Sequence, residues 1–133
     1  MEKRMLRITL IVLLVLVFTA PISAQNKRSW LAGTWEGTGY QMDTNETWTM
    51  KLTVRGNRYT IEYPSLKCSG RWIPIIVDSR RARFRERIAV GLAECVDRGN
   101  VVVERLSPRQ IAYRYVNNGE RDVTASAILN RKR

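Results

Sequence analysis

The sequence predicts an all-β domain, an antiparallel meander of about eight short strands closing into a barrel with one disulfide. Three observations carry this. Apolar and polar residues alternate with period two in segment after segment. Turn residues separate those segments at roughly 8–12 residue spacing. Past residue 24 no stretch repeats its apolar positions at a helical period. About eight strands suffice to close a barrel that holds its own side chains or one small ligand. A two-sheet sandwich is the alternative.

The chain opens with Lys3, Arg4 and Arg7, then an apolar run from Ile8 to Ala20 broken only by Thr9 and Thr19, then Pro21-Ile22-Ser23-Ala24. A basic start, an apolar centre and a small residue at the cut define a secretory signal peptide. Cleavage is expected after Ala24, leaving 25–133 as a single barrel domain that is secreted or periplasmic. A retained N-terminal anchor is the other reading, although the run is shorter than the roughly 20 residues a spanning helix needs. No cysteine follows the run directly, so a lipid anchor is not expected. Cys68 and Cys95 are the only cysteines. In an oxidising compartment they are expected to pair, two free buried thiols being the alternative.

Trp30-Leu31-Ala32 ends a polar lead-in. Gly33 to Met42 forms the first strand, and its glycines at 37 and 39 leave one face bare, as a sharply coiled strand or a close neighbour requires. After the turn at Asp43 to Glu46, residues 47–54 place Trp48, Met50, Leu52 and Val54 on one face. Arg55-Gly56-Asn57-Arg58 has hairpin chemistry. The return strand aligns Tyr59, Ile61 and Tyr63, and Pro64 ends it. Ser65 to Gly70 is a short connection. Arg71 to Val77 follows, with Ile73, Ile75 and Val77 on one face, Trp72, Pro74 and Ile76 on the other, and an edge or bulge at Pro74. The next strand sets Arg81, Arg83, Arg85 and Arg87 against Ala82, Phe84, Glu86 and Ile88. Val101 to Leu106, Gln110 to Val116 (aligning Ile111, Tyr113 and Tyr115) and Asp122 to Leu129 (aligning Val123, Ala125, Ala127 and Leu129) complete the count. The hairpin signal Asn117-Asn118-Gly119 separates the last two.

The formal charge is +11, with 18 Arg against 5 Lys. Loss of residues 1–24 removes Lys3, Arg4, Arg7 and Glu2 and leaves +9. Such a domain is drawn to anionic surfaces, although the same charge also serves solubility. Histidine is absent, which removes Ser-His-Asp and Cys-His nucleophiles, histidine bases and most zinc sites. No glycine-rich loop joins a strand to a helix, so no dinucleotide or phosphate loop is expected. Glu36, Glu62, Glu86 and Glu104 lie on different strands without a motif. The chain is therefore expected to be no enzyme, with no cofactor and no metal.

Two features stand out as sites. Alternation turns Glu86 inward, and a buried carboxylate is costly without partners. Either it anchors a ligand in an interior pocket with Trp35, Tyr63 and Tyr113, or it forms a structural ion pair with an arginine such as Arg71 or Arg105. The ladder Arg81, Arg83, Arg85 and Arg87, which Lys51, Lys67 and Arg114 could enlarge, is either an anion-binding face or a solvated outer face that discourages edge pairing.

Gly33-Thr34-Trp35 resembles the Gly-x-Trp opening of lipocalin-like, calycin-type barrels, in which the Trp packs across one barrel end. More of the chain, over residues 33–129, resembles a small bacterial extracytoplasmic β-domain found alone or appended to membrane-bound serine/threonine kinases. The matching residues are Trp35 and Gly37, the turn Tyr63 to Gly70, Glu86, and Cys95 with Gly99. The resemblance implies a disulfide-linked barrel-like fold and no assigned catalysis. Periplasmic lysozyme-inhibitor barrels are a more distant likeness, against which the basic charge weighs. The expected function is non-catalytic binding of a small apolar molecule inside the barrel or an anionic envelope component outside it. The alternative is a structural or protein-interaction module, envelope-associated or inhibitor-like, with a side-chain-filled barrel. Specific nucleic-acid binding is not expected.

Overall fold

A computed structural model describes residues 30–133; the segment read as a signal peptide lies outside the described residues. The strands are β1 (Gly33–Gln41), β2 (Thr47–Arg55), β3 (Arg58–Tyr63), β4 (Cys68–Val77), β5 (Arg81–Val90), β6 (Asn100–Ser107), β7 (Gln110–Val116) and β8 (Ala125–Arg131). Each pairs antiparallel with the next, and β1 pairs with β8 to close the barrel. The meander follows from the short links, because two antiparallel strands joined by a few residues have only each other within reach. The sandwich alternative is thereby excluded. The closed barrel also has no free sheet edge.

Alternation sorts the side chains as expected on most strands. Met50, Leu52 and Val54 of β2, Tyr59, Ile61 and Tyr63 of β3, and Ile111, Tyr113 and Tyr115 of β7 are all buried. So are Ala82, Phe84, Glu86 and Ile88 of β5. Tyr59, Phe84, Trp72, Tyr113 and Tyr115 form a run of ring contacts through the interior, in which Trp72 stacks on Tyr113 at 5.7 Å and 9°. One strand departs from its predicted faces. A bulge between Pro74 and Ile76 shifts the β4–β5 register. It leaves Ile75 and Ile76 both exposed. Val77 instead pairs with buried Ala82, the inward side of Trp72, rather than sharing the outward side of Ile73. Pro74 has no N–H for the ladder, so a bulge there loses no hydrogen bond that a regular strand would have made.

The two barrel ends differ. One is closed by the lead-in, whose Trp30 and Leu31 are buried rather than part of a polar extension. Trp30 donates through Nε1 to the Asp78 carbonyl at 2.8 Å, and Trp35 donates to the Leu31 carbonyl at 2.9 Å. Arg131, at the end of β8, lies over the Trp35 ring with Cζ 4.1 Å from its centroid. Its guanidinium also donates to the carbonyls of Trp30, Ala32 and Pro108. A guanidinium on an indole face with its N–H groups satisfied is a favourable lid. The other end is ringed by four connections: β1–β2, β3–β4, β5–β6 and β7–β8.

The disulfide sits at that second end. Cys68 and Cys95 are bonded, with Cα atoms 6.3 Å apart. Pro64–Leu66 make a short 3₁₀ turn, Lys67 takes a left-handed conformation, and Cys68 opens β4. Cys95 lies in the β5–β6 connection, so the bond ties that loop to the β4 strand start. Gly91 begins the loop at φ +80, where a Cβ would stand 2.6 Å from the Lys67 carbonyl oxygen and 3.0 Å from the Cys68 sulfur. Glycine alone meets both the positive φ and the close approach to the bridge.

Candidate ligand cavity

Inside the ringed end lies a cavity of about 770 Å³, within the range of small-molecule sites. All four connections contribute to it: Asp43 and Glu46 before β2, Leu66 before β4, Glu94 to Val96 before β6, and Asn117 after β7. The strands beneath supply Trp48, Tyr63, Glu86, Tyr113 and Tyr115. Gly39 makes room for Trp48, whose indole lies across it so closely that a Cβ there would sit 2.4 Å from the ring. The glycine pair thus answers to a close neighbour, as its spacing suggested.

Glu86 is the floor. It is 2% exposed and the only charged residue in the core among the described residues. Its Oε2 accepts hydrogen bonds from the Tyr63 hydroxyl at 2.5 Å and from Trp72 Nε1 at 2.8 Å. Neither partner carries charge. Burial pushes the carboxyl up to about 7, against the two hydrogen bonds, which pull it down. Asp97, whose carboxylate accepts from the Ile88 N–H at 2.8 Å, raises it further. Burial likewise holds the Tyr63 and Tyr113 phenols well above their usual value, with the Glu86 charge adding to the effect. Both rings are therefore neutral hydrogen-bonding groups at any ordinary pH.

Of the four residues expected to share a pocket, the structure brings together Tyr63, Glu86 and Tyr113. Trp35 is not among them. Its parity is inward, but it lies near the start of β1, under Arg131 at the closed end. Alternation gives the face of a side chain, not its height along the barrel axis. Among the described residues the arginine partner expected for Glu86 is absent too. Arg71 and Arg105 are both exposed. Arg71 precedes inward Trp72 and so points outward, opposite Arg87. Trp48 and Tyr115 could have been found by extending their strands' alternation. The loop carboxylates Asp43, Glu46 and Glu94 had no such signal, because turn residues are polar whether or not they border a cavity.

The arginine ladder lies on the outer face. Arg81, Arg83 and Arg87 are exposed, and none takes part in an ion pair among the described residues. Half-buried Arg85 is engaged, donating to the Arg98 carbonyl at 2.9 Å and to Asn118 Oδ1 at 3.0 Å. Of the suggested neighbours, Lys67 is exposed and in no ion pair among the described residues, on the β3–β4 connection, and the other two are paired. Lys51 pairs with Glu62 at 3.3 Å and Arg114 with Glu104 at 3.0 Å. The bulged β4 lies alongside, setting exposed Ile73 opposite Arg85 and Ile76 opposite Arg83. Among the described residues no helix is long and apolar enough to cross a membrane, and no cluster of three metal-ligating side chains forms. No protein-family model, curated protein or solved structure matches this chain.

Proposed function

We propose that this chain is an exported, non-catalytic binding protein that holds a small molecule in the open end of its barrel. The observation that carries the reading is the cavity of about 770 Å³ with a buried carboxyl at its floor. A barrel that served only as a scaffold would gain stability from an apolar residue at position 86, since a buried carboxyl without a charged partner is costly. The disulfide supports an oxidising compartment and hence the reading of residues 1–24 as a cleaved leader. The lipocalin-like architecture, with a tryptophan across the closed end, supports kinship with calycin-type barrels and the free-standing form of the kinase-appended domain. Native mass spectrometry of the protein purified from its own compartment tests the reading. The expected result is an added small-molecule mass that leaves on denaturation. A protein that carries only its chain mass, and that captures no ligand from a small-molecule library, would instead favour the side-chain-filled structural module.

A second reading concerns the outer face. Isoleucines exposed between unpaired arginines suit an anionic lipid surface, where the charges attract and the apolar groups enter the headgroup boundary. Vesicles containing phosphatidylglycerol should retain the protein at roughly 0.15 M salt, where the Debye length is about 8 Å, and phosphatidylcholine vesicles should not. Replacing Arg83 and Arg87 with alanine should lower retention severalfold. Equal partition onto both vesicle types would count against this face.

A further inference from the structure

The charge of the cavity is opposite to the charge of the protein. The chain carries 23 Lys and Arg against 12 Asp and Glu. Yet the cavity is lined by four carboxylates, Asp43, Glu46, Glu86 and Glu94, and by no lysine or arginine. Three of them stand on the rim connections and are exposed; Glu86 lies at the floor. Both hydrogen bonds to Glu86 fall on Oε2, and among the described residues none is donated to Oε1. A carboxylate oxygen accepts two or more such bonds when satisfied. The floor therefore offers an acceptor that no protein group fills, in a wall that contains Trp48, Tyr63, Tyr113 and Tyr115.

We infer that the ligand is a protonated organic amine, its ammonium group donating to Glu86 Oε1 and its apolar body lying against the aromatic wall. The inference rests on the reading of the cavity as a ligand site. An ammonium supplies both missing quantities at once, N–H donors for the free oxygen and a positive charge for the buried carboxylate. Aromatic faces attract the same charge, most strongly when water is excluded. A fatty acid or other anion would meet four carboxylates, and like charges in a shared cavity repel. A neutral apolar ligand would leave Oε1 unfilled. The positive charge of the protein as a whole does not decide the matter. None of its lysines or arginines lines the cavity, and exposed charges more than about 8 Å apart are largely screened at physiological salt.

A matched series with one tail and three heads tests this: octylammonium, octanol and octanoate, titrated by calorimetry and by tryptophan fluorescence, Trp48 lining the cavity. Octylammonium should bind about tenfold or more tighter than octanol, and octanoate should bind weakest. Glu86→Gln, which keeps an acceptor for Tyr63 and Trp72, should abolish the preference for the amine over the alcohol. If octanol or octanoate binds as well as the amine, the inference fails while the cavity remains a binding site. If none of the three binds, both fail. Should E86Q not fold, a rim variant with Glu46→Gln and Glu94→Gln decides. A severalfold loss of amine preference supports the inference, and an undiminished preference overturns it.

Discussion

Reducing the Cys68–Cys95 bond is expected to lower the stability of the domain by about 3–4 kcal/mol, the chain-entropy value for a loop of this length. The cysteines are 27 residues apart. For a domain of about 100 residues this corresponds to a fall in Tm of roughly 15 °C or more. Thermal melts with and without reductant, followed by far-UV circular dichroism, measure it. A Cys68→Ala, Cys95→Ala chain should melt at the temperature of the reduced protein. The loss has a local component as well. Cys95 lines the cavity and its loop carries Glu94 and Val96, so the bond fixes one quarter of the rim. Ligand affinity should therefore drop on reduction even at temperatures where the barrel stays folded. A change in Tm below about 1 kcal/mol equivalent would mean that the β4–β5 hairpin holds this loop without the bond.

The second large effect is a pH dependence with one source. The Glu86 carboxyl titrates near 7 in the folded barrel and near the ordinary 4.5 in the unfolded chain. Between these values the folded state binds the extra proton, so stability is highest below about pH 4.5 and declines as pH rises toward 7. A displacement of this size is worth about 3 kcal/mol. The groups that face Glu86 are Tyr63 on β3, Trp72 on β4, Tyr113 and Tyr115 on β7, and Asp97 before β6. Burial raises all three phenols, so none of them titrates in this window. Histidine is absent from the chain, which leaves the interval from pH 5 to 7 free of the usual competing transition. Chemical unfolding at pH 5, 6, 7 and 8 should show the decline in the native chain and a nearly flat profile in Glu86→Gln. An equal slope in both would locate the titration elsewhere. A bound ammonium should suppress the decline, because it stabilises the charged form.

The two effects show which parts of the molecule were written in the sequence. Inward faces on β2, β3, β5 and β7 could be read directly, because parity holds along each of those runs; the irregularity on β5 falls beyond Ile88. The disulfide followed from compartment and count. On β4 the parity of Ile75 to Val77 was lost, since a bulge inserts a residue without changing the composition that alternation is judged by. Glu86 was correctly turned inward, but its partners were misjudged. The same parity that buries Trp72 excludes Arg71, and the curl of the consecutive strands β3, β4 and β5 brings Tyr63 within 2.5 Å across β4. The acidic rim was not legible at all. Its carboxylates lie on connections far apart in the chain, and strand order with closure is what gathers them around one opening.

Pairing of β1 with β8 carries a consequence for how the chain comes to be folded. The contacts that complete the closed end join Arg131 to Trp30 and Ala32, 101 and 99 residues apart. Synthesis runs from the N-terminus, so β1 is made early and its last partner is made last. Until β8 is complete, β1 and the most recently formed strand each present an open edge, the arrangement most prone to pairing between chains. The β4–β5 hairpin and its cysteines are local and can form long before that. The growing chain would thus hold a formed middle between two unsealed margins, and Arg131 would be the latch whose arrival ends that vulnerable interval. Arrival of β8, rather than formation of any single hairpin, sets the moment at which this barrel is safe from its own copies.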